Sequence, residues 1–174
     1  ADIINDVWAL RWPDGGEGGH TLTAREVVGA HPQCGVCLMH MHREPQSMQV
    51  APMQGDVVAQ VRAFLAQVAR DLEALGVAKS RIMLDPGIGF GKTVEQNFSL
   101  LARQAELLPL GFPVLAGWSR KSSLAGMVPH KAPPDAKLQT FERLAPSLAA
   151  ALLAAERGAS VLRVHDVKET VQAL

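Results

Sequence analysis

The chain has 174 residues, a formal net charge of zero, 48% hydrophobic and 20% charged residues, the make-up of an ordinary globular core. Lys and Arg are scattered along it, which argues against a nucleic-acid or membrane-surface binder. No apolar run approaches the roughly 20 residues of a bilayer span, and the longest, Leu148 to Ala155, is cut by Glu156-Arg157 and reads as a buried helix.

The chain opens on Ala1-Asp2-Ile3-Ile4, which reads as the middle of a domain, and no secretory leader is expected. Ile3–Val7 is strand-like and passes through Asn5-Asp6. A connection over 8–20 contains Gly15, Gly16, Gly18 and Gly19, read as a mobile loop tip, and a helix is expected over Thr21–His31. Val36–Met39 is the second strand. Cys34 and Cys37 give C-x-x-C spacing, half a zinc site or a redox pair. A thioredoxin-type motif opens a helix, however, and this one runs into a strand, where i and i+3 point to opposite faces. Two reduced cysteines of a cytoplasmic protein are therefore expected. His40 and His42 have the H-x-H spacing of a metal pair, but no third ligand is evident nearby.

After a connection at 40–54, Asp56–Leu75 places Val57, Val61, Phe64, Leu65, Val68, Leu72 and Leu75 at helical spacing, with Gly76 as its stop. Arg81–Leu84 is the third strand and ends in Asp85. A helix over Glu95–Leu107 leads to the fourth strand, Val114–Ala116, which runs into Gly117-Trp118-Ser119-Arg120-Lys121-Ser122. A connection at 122–140 and a helix over Phe141–Arg157, closed by Gly158, precede the fifth strand, Ser160–Val164, and Val167–Leu174 begins another helix.

Strand–helix alternation repeated in this way implies a parallel sheet covered by helices. Two architectures fit: a five-stranded doubly wound sheet, which periodicity alone favours at this length, and a (β/α)₈ barrel of about 250 residues, of which this chain would supply five units. In either, polar residues gather where parallel strands end, and that end carries the chemistry. The long connections fall on the same side and are placed to cover a pocket.

The stretch Leu84-Asp85-Pro86-Gly87-Ile88-Gly89-Phe90-Gly91-Lys92-Thr93 looks built to cradle a phosphate, but its spacing fails. A P-loop needs a Gly where Pro86 stands, and Pro has no N–H to offer. The dinucleotide pattern needs a third Gly where Lys92 stands. What remains is a carboxylate, Asp85, at a strand end, followed by a tight turn. Arg163 and His165 alternate onto one face of the fifth strand. Both faces of a parallel sheet are buried, so two basic groups there need an anionic partner. An internal ion pair with Asp166 cannot satisfy both. Ser119 to Ser122 read either as a solvated helix start or as donors for an anion or ring edge.

Taken together, I-I-N-D-V at 3–7, C-L-M-H-M at 37–41, L-D-P-G-I-G-F-G-K at 84–92, G-W-S-R-K-S at 117–122 and R-V-H-D-V-K-E-T-V at 163–171 resemble the dihydropteroate synthases of folate biosynthesis, in order and at matching spacing. The resemblance implies a TIM barrel of which residues 1–174 form a single pterin-binding domain with strands four to eight. It implies a transferase that condenses 6-hydroxymethyl-7,8-dihydropterin pyrophosphate with p-aminobenzoate, giving 7,8-dihydropteroate and pyrophosphate, and a sulfonamide target. Carried over by motif, Asn5 and Asp85 would bind the pterin ring. Met39, Gly89 and Gly117 would line its slot, and Lys121 would meet a pterin acceptor. Phe90 and Ser122 would border p-aminobenzoate, and Arg163 and His165 would hold the departing pyrophosphate. Asp85, Lys121, Arg163 and His165 are the implied catalytic set. Mg²⁺ would be held by the pyrophosphate and a residue outside this chain. A cytoplasmic homodimer is implied, with small-molecule substrates and neither nucleic acid nor membrane as partner.

The chain departs from the family at Ile88, at Trp118 and in the connection at 8–20. The family's first three units have no counterpart, which leaves an open sheet edge at each end. A piece of a longer chain is expected, with little synthase activity by itself. A binding-only remnant and a pterin-dependent methyltransferase-like barrel are the other readings, although the latter gives no reason for Ser119–Ser122 with Arg163 and His165.

Overall fold

A computed structural model describes residues 1–11, 23–43, 53–127 and 143–174. The tip at Gly15–Gly19 and most of the connections expected at 8–20, 40–54 and 122–140 lie outside the described residues. Five short strands, β1 (Ile3–Asp6), β2 (Gly35–Met39), β3 (Ile82–Asp85), β4 (Leu115–Ala116) and β5 (Val161–Leu162), alternate with helices α1 (Ala24–Ala30), α2 (Val57–Ala74), α3 (Val94–Ala102), α4 (Leu144–Glu156) and α5 (Val167–Ala173).

Every recorded strand pairing is parallel. Ile3 stands beside Gly35 and Asp6 beside Leu38, Val36 beside Ile82 and Met39 beside Asp85, Leu115 beside Val161 and Ala116 beside Leu162. A single bridge from Leu84 to Val114 joins the two groups. Neighbours in space therefore follow chain order from β1 to β5. A doubly wound sheet reverses its strand order at a switch point, and among the described strands there is no reversal.

β2 is the most enclosed strand: Val36, Cys37, Leu38 and Met39 are each at most 1% exposed. Near-continuous apolar sequence is what a strand covered on both faces requires. α2 lays Val57, Val58, Val61, Leu65, Val68, Ala69 and Leu72 into the core. It starts where Asp56 accepts hydrogen bonds from the Val58 and Ala59 amides, and it stops at Gly76 in left-handed backbone. α1 is shorter than Thr21–His31 because Thr23 caps it reciprocally with Glu26.

The helix expected over Glu95–Leu107 is broken. α3 ends at Ala102, and Gln104–Leu110 continues as a tighter 3₁₀ turn. Gln104, 2% exposed, is turned inward, where its amide donates to the Ala154 and Arg157 carbonyls at the end of α4. The Ala154 carbonyl also accepts from the Ala159 amide at 2.9 Å, so Gln104 adds a second donor there and ties the 3₁₀ turn to the end of α4. β5 is also shorter than expected, so Arg163 and His165 follow the strand rather than sit in it.

Candidate active site

β3 delivers Asp85 as its last residue, fully buried. The Gly87 amide donates to its Oδ1 at 2.7 Å. Arg163 Nη2 stands 3.0 Å from its Oδ2, yet that oxygen has no partner of hydrogen-bond geometry. Burial pushes the Asp85 carboxyl above its ordinary range, while Arg163 and the Gly87 N–H pull it back. The result is a buried carboxylate with a cation beside it and one acceptor still open.

The turn after Asp85 is folded flat against the segment following β2. Gly87, at φ +69°, faces the His40 carbonyl so closely that any side chain would overlap it. Gly91, at φ +72°, would place a Cβ 2.7 Å from His42 Cβ. Lys92, only 4% exposed, reaches back to donate to the carbonyls of His40 at 3.3 Å, Gly87 at 2.8 Å and Phe90 at 3.1 Å. The loop amides are likewise used internally: Gly87 to Asp85, Gly89 to Asn97 Oδ1, and Phe90 to the Gly87 carbonyl. An anion nest needs such amides pointing together at a ligand. These do not, in agreement with the spacing argument.

The opposite wall comes from the segment after β4. A Cβ on Gly117 would lie 2.5 Å from Arg163 Nη2, so glycine is what lets the guanidinium reach Asp85. Lys121 Nζ stands 4.5 Å from the Phe90 ring centroid across the slot. Burial lowers its pKa, and Arg163 adds to that. Ser119 Oγ accepts from the His165 amide at 3.1 Å and lies 3.0 Å from its ring Nδ1. The donors of this segment do not converge as at a helix start: Arg120, at φ +59°, turns away and pairs with Asp166 (Nε–Oδ2 3.1 Å), and only a short 3₁₀ turn follows. Asp166 is thus committed to Arg120, while Arg163 finds its anion in Asp85. Arg163 and His165 both line the slot, and the Arg163 amide, donating to the Ala116 carbonyl at 3.0 Å, continues the pairing of β5 on β4 past Leu162.

Between these walls lies a cavity of about 310 Å³ lined by Asn5, Val7, Met39, Phe90, Gly117, Ser119, Lys121, Arg163, Val164 and His165. Seven of these are residues that the sequence singles out for a site. Asp85 lies behind Arg163, and Gly89 packs beside Lys121. Ser122 is exposed and outside the lining. Ile88 and Trp118 are each 2% exposed, Trp118 stacked on Phe98 at 5.5 Å, so they belong to the core and not to the slot. Lys92 and Asn97 were missed by sequence reasoning. Lys92 lay within the glycine motif, but nothing local marks Asn97, which needs two distant loops to gain its meaning.

His40 is buried edge-on against Phe64, and burial lowers its pKa to about 3. Cys34 and Cys37 are both free, the Cys37 thiol pushed up to about 12 by burial. Among the described residues no group of three or more His, Cys, Asp or Glu is placed to hold a metal ion.

Residues 1–165 match the family model described as pterin binding enzyme. Dihydropteroate synthase of Escherichia coli (strain K12) is 45% identical over 175 residues, covering 100% of this chain and 55% of the relative. The structure is similar to that of dihydropteroate synthase from Stenotrophomonas maltophilia with active site-bound imidazole, with a TM-score of 0.83 and 43% identity over 98% of this chain and 58% of that one. It is also similar to the Xanthomonas albilineans enzyme in complex with 7,8-dihydropteroate, with a TM-score of 0.80 and 42% identity over 98% and 57%. The chain spans about half the length of the curated relatives it matches. Parallel strands, a buried carboxylate at a strand end and a slot walled by the motif residues agree with these matches over nearly the whole chain: it belongs to the pterin binding enzyme family.

Proposed function

We propose that the protein to which these residues belong is a dihydropteroate synthase, and that residues 1–174 form one pterin-binding domain carrying strands four to eight of a (β/α)₈ barrel. Strand order running with the chain supports the barrel. The observation that carries the function is Asp85: a buried carboxylate with one oxygen lacking a directed donor, at the back of a slot floored by Met39. The N–H-rich edge of a pterin supplies such donors, and Asn5 lies on the same cavity to complete its recognition.

In this reading Phe90 and Lys121 flank the ring, Lys121 donating to a pterin acceptor, with Gly89 leaving room for its stem. Phe90 and the neighbouring Ser122 border the p-aminobenzoate approach. Breaking the bond from the pterin methylene to the diphosphate builds negative charge on the leaving group. Arg163 and His165 bind that charge most strongly as it develops, which is where binding accelerates reaction. The Arg163 side chain is two-fifths exposed, so it can turn from Asp85 toward diphosphate once the pterin takes over the carboxylate. His165 is held for the same task by Ser119. The arylamine of p-aminobenzoate then adds to the methylene and loses a proton to solvent. The described residues do not fit a Mg²⁺ site of their own, since the slot's carboxylate is buried against Arg163. Mg²⁺ would accompany the diphosphate, and no step here is routed through it.

The reading includes a cytoplasmic homodimer. It is supported by two free thiols and by Val167, Val171 and Leu174, which α5 leaves 60%, 67% and 65% exposed. Among the described residues no helix is long and apolar enough to cross a membrane. Supplied with the dihydropterin diphosphate and labelled p-aminobenzoate, the protein should release pyrophosphate and form labelled 7,8-dihydropteroate in equal amounts. Pyrophosphate release with no incorporation of the label would contradict the assignment.

A further inference from the structure

A larger, open depression of about 490 Å³ lies between the starts of α2 and α3, but its polar groups satisfy one another: Asp56 pairs with Arg103, and Gln96 donates to the Met53 carbonyl. The observation that reaches further is Asn97, a polar side chain with 0% exposure. Its Oδ1 accepts from the Gly89 amide at 2.9 Å, and its Nδ2 donates to Ser123 Oγ at 2.9 Å. Ser123 is itself 3% exposed. One amide therefore ties the turn that carries Asp85 and Phe90 to the segment that carries Lys121.

α3 holds Asn97 in place. Thr93 caps the helix reciprocally with Gln96, the Gln96 amide is anchored on the Met53 carbonyl, and the Asn97 backbone N–H donates to the Thr93 carbonyl at 3.0 Å. A side chain one turn into a capped helix has little freedom to drift. The same two segments meet again across the slot, where Lys121 lies over Phe90. Of the two connections, the Asn97 one is made of directed hydrogen bonds from a fully buried side chain, so it sets the separation of the walls, and the half-buried Lys121–Phe90 contact follows. Losing either partner would leave a buried polar group of Asn97 unsatisfied, so each end of the bridge is costly to open.

We infer that Asn97 is a positioning residue that sets the width of the pterin slot by cross-linking the 85–92 turn to the 119–124 segment. The role rests on the pterin-binding reading above, whereas the cross-link itself does not. Hydrogen–deuterium exchange on the chain tests it. Asn97→Ala should speed exchange in 86–91 and 119–124 together, leave β1, β2 and α2 unchanged, and weaken binding of 6-hydroxymethylpterin about tenfold. Ser123→Ala removes only a hydroxyl, so it serves even if the first variant fails to fold, and it should also loosen 86–91, on the far side of the bridge. Asn97→Asp, able to accept from both the Gly89 amide and the Ser123 hydroxyl, should restore slow exchange in both segments. Faster exchange confined to α3, to a single segment, or spread evenly over the chain would overturn the inference. An unaltered chain that binds no pterin would count against the proposed function, and the exchange comparison would still decide the bridge.

Discussion

Arg163 Nη2 lies 3.0 Å from Asp85 Oδ2, joining the end of β3 to the segment that follows β5 with a pair that is fully buried on the carboxylate side and two-fifths exposed on the guanidinium side. The pair is asymmetric: the arginine can return to water, but the carboxylate cannot. Arg163→Met should therefore raise the Asp85 pKa further, because burial already raises it and the cation that restrained it is gone. Stranding the charge should cost about 3 kcal/mol of stability at neutral pH. A carboxyl-carbon NMR titration of the variant, beside a urea unfolding curve, checks both effects.

Gly117 makes the approach of Arg163 possible. A methyl at that position would sit 2.5 Å from Nη2 and 3.2 Å from Cζ. Gly117→Ala should leave the fold intact, since the obstructed group is the end of a long side chain, yet displace the guanidinium from Asp85. Pyrophosphate binding, followed by calorimetry, should weaken about tenfold, the loss expected of a misaligned charged hydrogen bond.

Gly87 is a different case, because the obstructing atom is the His40 carbonyl, part of the backbone. Left-handed backbone at φ +69° adds about 1 kcal/mol for any residue with a Cβ. Gly87→Ala should destabilise the chain by at least about 2 kcal/mol, where Gly76→Ala, with nothing within 4 Å, should cost only the backbone part. Paired thermal unfolding curves separate the two.

His40 has a pH signature. Burial holds its folded pKa near 3, against an ordinary 6.5. The unfolded chain takes up the proton first, so the stability it contributes is complete above about pH 6.5 and is lost as pH falls toward 3. The loss amounts to at most about 5 kcal/mol. His40→Leu should flatten the stability profile over that window, as measured by urea unfolding at several pH values.

Much of this was legible in the sequence because periodicity and strand ends are local signals. α2 follows the spacing of Val57, Val61, Leu65, Val68 and Leu72, and Asp85 was placed at the end of β3 from a short apolar run and a Pro-Gly turn. Asn5, Asp85, Arg163 and His165 stand out as polar punctuation of strands, whereas Met39, Gly89, Phe90, Gly117, Lys121 and Ser122 take their site roles only from the family resemblance. What failed was decided by partners far away in sequence. Gln104 turns inward to the end of α4, Arg120 leaves its neighbours for Asp166, and the anion that Arg163 meets inside the chain is Asp85, 78 positions earlier. Asn97 is the limiting case, an ordinary helical residue until the fold brings Gly89 and Ser123 to its two ends.

The central claim is that the open acceptor on Asp85 recognises a pterin. Calorimetric titration of the chain with 6-hydroxymethylpterin, beside Asp85→Asn, measures this most directly. Saturable binding that falls about ten- to a hundredfold in Asp85→Asn, as expected for losing charge-assisted hydrogen bonds, is the predicted result. Absence of binding by the unaltered chain, or equal binding by both, would contradict it.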